Sequence, residues 1–263
     1  MLNKFIAAKQ REIGALRALA ESGGLPPSSD ARRPSFSGAL LAHGSPIAVI
    51  AEYKRASPSL GKIRDSLEVE DVAAQYARGG AAAMSVLTEE DWFAGDFDYL
   101  RRAAAASDLP LLRKDFIFDP LQIDMTASSP ASALLLIVRL TPDAKALRSL
   151  RERAEGHGLE CVVEIFDEGD LSVARESGAR LIQANARDLS SLRVDRGAAL
   201  RLARDNPPQD GEVWIAASGV SAPAHLREAA DAGYSAVLVG TSLMRSGLPE
   251  ENLSALLKGA AQC

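Results

Sequence analysis

Cysteine and histidine are scarce in this chain. Cys161 and Cys263 are too few and too far apart for a disulfide framework, and His43, His157 and His225 have no metal-ligand spacing, so structural zinc is not expected. No apolar run approaches the roughly 20 residues that span a bilayer, which argues against a membrane protein. Excess positive charge is missing as well. A net charge of -5 argues against a nucleic-acid surface while leaving room for a local basic pocket that takes a small anion. Also missing is a G-x-G-x-x-G turn after the first apolar run, where "EYKRASPSLGKI" stands instead, and this counts against a doubly wound dinucleotide-binding sheet.

What is present is an ordinary soluble balance, 47% hydrophobic and 25% charged. A length of 263 residues exceeds an average domain but suits an α/β barrel running as one unit. The opening "MLNKFIAAKQREIGALRALAE" places Leu2, Phe5, Ile6, Ile13, Leu16 and Leu19 on one helical stripe with charges between them, unlike a signal sequence, so a cytoplasmic protein is expected. Eight short apolar runs follow: "IAVIAE", "AMSVL", "LPLLRK", "ALLLIV", "CVVEI", "RLIQAN", "VWIAAS" and "AVLVG". Helical patterns such as Leu171 with Ala174, and Leu226 with Ala229 and Ala230, lie between them. Three helices close on a glycine just before the next run, in "ARGGAAAMSVL", "ESGARLIQAN" and "DAGYSAVLVG", which suits the left-handed position after a helix. Strands that are apolar on nearly every residue and alternate with helices imply parallel pairing covered on both faces. The expected fold is a (β/α)₈ barrel, one domain over residues 1–263, in which 1–46 form an N-terminal helix and an irregular connector.

Barrel chemistry gathers at the carboxyl ends of the strands. Those ends carry Glu52 and Lys54, Thr88 and Glu89, Lys114 and Asp115, Glu164, Asn185 and Arg187. Any one of them also reads as a strand's exit to solvent, but an unpaired ion at the end of an apolar run is costly, and five such ends together point to a site. The last two ends, "ASGVS" and "VGTSLMR", bring Ser218, Gly219, Gly240 and Thr241. Backbone N–H groups freed by glycine can cradle a phosphate, and Lys54 and Ser57 could close its other side, although ordinary turns use the same residues.

With these ends quoted, the chain resembles the indole-3-glycerol phosphate synthases through "IAEYKRASPSLG", "SVLTEEDWFAGDFDYL", "LLRKDFIFDPLQI", "VVEIFDE", "NARDL", "ASGVS" and "VLVGTSLMR", in order along essentially the whole chain. The resemblance implies a carboxy-lyase on a (β/α)₈ barrel whose N-terminal extension helps cover the site. It closes an indole ring on 1-(2-carboxyphenylamino)-1-deoxyribulose 5-phosphate, with loss of carbon dioxide and water and with neither cofactor nor metal. Carried over residue by residue, it implies Lys114 as the acid at the carbonyl and Glu164 as base or dehydration partner. It implies Lys54, oriented by Glu52, at the substrate carboxylate or phosphate or as a second acid. Asn185 and Arg187 line the site, Arg187 braced on a carboxylate, and Phe93, Phe116 and Leu135 form the pocket for the aromatic ring. Taken alone, Phe93 and Phe116 read as core. Ser57, Ser218, Gly219, Gly240 and Thr241 hold the phosphate. The implied partner is a small sugar phosphate, with no nucleic acid or membrane, and a monomer is expected.

The match departs in three places. Ala217 stands where the family pattern has glutamate before Ser-Gly, Gln183 and Ala184 replace a glycine and a branched residue in the sixth run, and "ASSPASALLLI" lacks the usual Gly-Ala-Asp approach. A second reading is therefore kept, a phosphate-ligand-binding relative impaired in catalysis by Ala217.

Overall fold

The computed structural model describes residues 2–42, 47–188 and 191–262, and of Leu2 only the backbone. The expectations placed on His43, Cys263 and the Leu2 side chain lie outside the described residues.

The chain opens with α1 (Leu2–Glu21) and α2 (Phe36–Ala42), then β1 (Ala48–Tyr53) and a two-residue hairpin of β2 (Ala56–Ser57) and β3 (Gly61–Lys62). The remaining barrel strands are β4 (Ala83–Leu87), β5 (Leu111–Ile117), β6 (Ala133–Ile137), β7 (Glu160–Ile165), β8 (Leu181–Asn185), β9 (Val213–Ala217) and β10 (Ala236–Val239). They pair in parallel in the order β1-β10-β9-β8-β7-β6-β5-β4, and β4 returns to β1, so the sheet has no open edge. This is the (β/α)₈ barrel read from the eight apolar runs.

The strands are largely apolar because each is buried on both faces, with polar residues gathered toward their carboxyl ends. Ile50, Leu112, Val162, Ile215 and Leu238 point inward, while Val49, Met84, Val163, Trp214 and Val237 point out against the helices. The helices between strands pack by the expected stripes, with Leu171, Ala174, Leu226 and Ala229 buried. All three glycines that close them are left-handed, Gly80 at φ 92°, Gly178 at 87° and Gly233 at 97°.

The N-terminal segment is more structured than a helix and a loop. Phe5, Ile13 and Leu16 of α1 are buried as expected, whereas Leu19, on the last turn, is exposed. From there residues 22–35 run down the outside of the barrel. Ser29 N–H donates to Ala127 O at 2.8 Å, and Arg33 Nη2 donates to Ala127 O at 2.6 Å and Ser129 O at 3.2 Å. Then α2, which the sequence reading takes as part of the connector, packs Phe36 and Leu40 against the inward faces of β1 and β4. Glu160, first residue of β7, accepts from Phe36 N and Ser37 N, satisfying donors at the start of α2 that have no partner within the helix. The extension thus binds the barrel at both ends.

Candidate active site

With the exception of Thr88, the residues read as site residues face one cavity at the carboxyl ends of the strands. It holds about 1060 Å³ of empty space, open at its mouth, and Glu52, Lys54, Ser57, Phe93, Lys114, Phe116, Leu135, Glu164, Asn185, Arg187, Ser218, Gly219, Gly240 and Thr241 all line it.

The charges come from β1 and the residue just after it, β5 and β7. Lys54 Nζ lies 2.7 Å from Glu52 Oε1, and the Glu52 side chain is only 3% exposed. Burial pushes the Glu52 carboxyl up, but the Lys54 and Lys114 ammonium groups outweigh it and hold the group below its ordinary value. Lys114, by contrast, forms no ion pair among the described residues, so its ammonium remains available to a ligand. Glu164, across the barrel on β7, is buried and accepts a hydrogen bond from Gln183 Nε2 of β8.

One wall is aromatic. Phe5 of α1 stacks on Phe116, ring centroids 4.1 Å apart and planes 13° from parallel, and Phe93 lies 6.2 Å from Phe116. Phe93 ends the short helix Glu90–Phe93, whose N–H groups at Asp91, Trp92 and Phe93 all donate to the Glu89 carboxylate. Burial pushes the Glu89 carboxyl up.

The opposite wall is built from turns. Ser218 and Gly219 are both left-handed, at φ 72° and 79°, the first uncommon for a residue with a side chain. Ser218 Oγ donates to Asn185 Oδ1 at 2.8 Å, and the same oxygen accepts from Arg187 N at 3.0 Å, so β8 and β9 are locked together at the mouth.

A family model described as indole-3-glycerol phosphate synthase matches residues 2–256. The chain belongs to the indole-3-glycerol phosphate synthase family. Indole-3-glycerol phosphate synthase 2 of Streptomyces coelicolor is 39% identical over 259 residues, 98% of each chain. The indole-3-glycerol phosphate synthase of Koribacter versatilis is 42% identical over 211 residues, 80% of each chain. Among solved structures, a 3-hexulose-6-phosphate synthase superposes with a TM-score of 0.64 at 14% identity, covering 81% of this chain and 99% of that one, a likeness of fold alone.

For a synthase of this family, three details of the site differ from the sequence reading. Arg187 is not braced on a carboxylate among the described residues. Its Nη1 donates to Leu192 O at 2.9 Å and reaches Ser59 Oγ only at 3.5 Å, because the chain after β8 folds back and presents a carbonyl. Lys114 does not end its strand, since β5 continues to Ile117 past a register shift beyond Arg113. Gly240 has a packing role: a Cβ there would stand 2.6 Å from Glu52 Oε1, so glycine is what lets this carboxylate sit under β10. We expect Gly240→Ala to destabilise by about 1 to 3 kcal/mol, the usual range for overpacking, and to lower kcat/KM by displacing Glu52. Thermal melts and initial rates check this, and parent-like values in both would rule the packing role out.

The sequence does not mark Phe5 as a cavity residue, and it marks Glu89 as a strand end but not as the cap of the helix that carries Phe93. Phe5 looked like any member of an apolar stripe. For Glu89 the usable signal is its position directly before "EDWF", where an acidic residue caps a helix.

Proposed function

We propose that this mouth performs the decarboxylating ring closure of 1-(2-carboxyphenylamino)-1-deoxyribulose 5-phosphate to indole-3-glycerol phosphate, carbon dioxide and water. The observation that carries the reading is the shared cavity: two ammonium groups and a buried carboxylate face one space between an aromatic wall and two glycine-containing turns. Lys114 gives a proton to the ribulose carbonyl oxygen as the ring carbon attacks, so negative charge does not accumulate there. Loss of carbon dioxide from the former carboxyl-bearing carbon then restores the aromatic ring. Glu164 takes the proton from the carbon beside the nitrogen and passes it to the departing hydroxyl, which leaves as water.

Lys54, tied to Glu52, serves better as a fixed positive charge for the substrate carboxylate than as a mobile donor. Asn185 and Arg187 border the reacting carbons, and Phe93, Phe116 and Leu135 take the aromatic ring. Ser57, Ser218, Gly219, Gly240 and Thr241 receive the phosphate. These steps are proton transfers and bond cleavages that call on no cofactor. We further take the enzyme as a cytoplasmic monomer and a single domain over 1–263, acting on a free sugar phosphate. Among the described residues no helix is long and apolar enough to cross a membrane.

Purified protein incubated with this substrate should develop indole fluorescence. Folded protein that binds the substrate without product would support instead the impaired relative motivated by Ala217, and turnover appearing in Ala217→Glu would then identify the cause.

A further inference from the structure

Barrel interiors are filled by layers of four side chains from alternate strands, dominated by branched apolar residues. Following the register here, the layer at the cavity floor is Glu52, Lys114, Glu164 and Ala217, from β1, β5, β7 and β9. The layer beneath comes from the other four strands and holds Ser85, Leu135, Gln183 and Leu238. Gln183 is fully buried in that layer and does not border the cavity. An amide in such a place is costly unless its groups are bonded, and here Oε1 has no partner while Nε2 donates to Glu164 Oε2. Only the amide nitrogen can donate to an ionised carboxylate, so the orientation of the group is chemically required.

Glu164 itself is 2% exposed and forms no ion pair among the described residues, and Ala217 beside it in the layer supplies no polar group. The Gln183 amide is therefore the contact that offsets burial of this carboxylate. It engages one of the two carboxylate oxygens from below, while Glu164 itself borders the cavity.

Resting on the functional reading above, we propose that Gln183 is a positioning residue for Glu164: from beneath the site it holds the carboxylate in the orientation in which it accepts the substrate proton. It touches no substrate and acts only through Glu164.

The test is a double-mutant cycle. Gln183→Met keeps the length and unbranched shape of the side chain and removes the donor. It should lower kcat by about 10 to 100-fold, a partial loss of the about 10² to 10⁴-fold that a positioned acid–base group contributes, with KM within about threefold, since ground-state binding does not involve the residue. In a Glu164→Gln background the same change should alter kcat less than about twofold, because a residue that acts through Glu164 has nothing left to act on. Losses that multiply in the double mutant, or parent-like kcat in Gln183→Met, would overturn the proposal.

A second measurement needs neither turnover nor a variant at 183. In ¹⁵N-glutamine-labelled protein, the Gln183 side-chain amide protons should resonate downfield and exchange slowly, and both features should vanish in Glu164→Leu. Their absence from the parent protein overturns the proposal even if Gln183→Met fails to fold. A parent protein that shows the signature but forms no indole product counts against the functional reading and leaves the contact standing.

Discussion

Lys114→Ala should abolish ring closure while leaving the fold and ligand binding in place. General acid catalysis contributes about 10² to 10⁴-fold, so we expect kcat to fall by about a thousandfold, with substrate affinity measured by calorimetry changed by less than about tenfold. The sequence presents two candidate lysines, and the geometry separates them. Lys54 Nζ is held 2.7 Å from Glu52 Oε1, whereas Lys114 enters the same cavity without an ion pair among the described residues. An ammonium anchored to a carboxylate cannot follow a substrate oxygen through the reaction, and an unpaired one can. Lys54 stays in contact with the buried Glu52 when Lys114 is truncated, so the melting temperature should stay near that of the parent. Lys54→Ala should act differently, raising KM more than it lowers kcat and releasing Glu52 from its depressed state. Turnover in Lys114→Ala above about a tenth of the parent value would transfer the acid role elsewhere.

The largest stability effect should come from Asp115→Asn. Asp115 lies next to Lys114 in the chain and is 1% exposed. Lys9 Nζ of α1 is 2.6 Å from its Oδ1, Arg113 Nη2 is 3.0 Å from its Oδ2, and Thr88 Oγ1 donates to Oδ2 at 2.6 Å. Glu12 completes the cluster, 2.7 Å from Lys9 and 3.2 Å from Arg113. Neutralising the central carboxylate leaves two buried cations with one half-buried acid between them, and breaking a buried pair in this way costs about 3 to 5 kcal/mol. For a chain of this size that corresponds to a melting temperature lower by about 10 °C. Activity should fall as well, because the same cluster docks α1 and with it Phe5 at the cavity wall. Asp98→Ala, which breaks an exposed pair with Arg101, is the control and should leave the melting temperature nearly unchanged. A drop under about 3 °C in Asp115→Asn would show that the cluster does not hold α1 in place.

Acid lability follows from the same groups. At Asp115 burial pushes the carboxyl up, and Arg113 and Lys9 more than reverse this, so it is held low in the folded protein as Glu52 is. A carboxyl depressed on folding contributes stability above its unfolded value, and that contribution drains away as pH falls toward the folded value. Unfolding free energies should therefore be flat near neutrality and fall below about pH 4, the ordinary carboxylate range, with a weaker slope in Asp115→Asn.

Much of this molecule is legible along the chain because its signals are local. Eight apolar runs separated by helical stripes, each buried on two faces, permit little besides parallel strands under helices, and a glycine before a strand marks the helix end that φ 92° at Gly80 and 97° at Gly233 display. The charged and glycine-containing strand ends named the cavity wall for a related reason: in a parallel barrel every strand's carboxyl end arrives at the same face. What lay beyond the sequence were contacts whose two halves are far apart in it. The N–H groups that start α2 are satisfied by Glu160, 124 residues later than Phe36. Lys9 looks like a solvated charge on an amphipathic helix until Asp115 meets it, and Gln183 looks like an anomaly in an apolar strand until β7 places Glu164 alongside. Local pattern decides which residues must be buried; only closure of the barrel decides which buried polar groups find one another, because hydrogen bonds and ion pairs depend on distances that the folded chain alone sets.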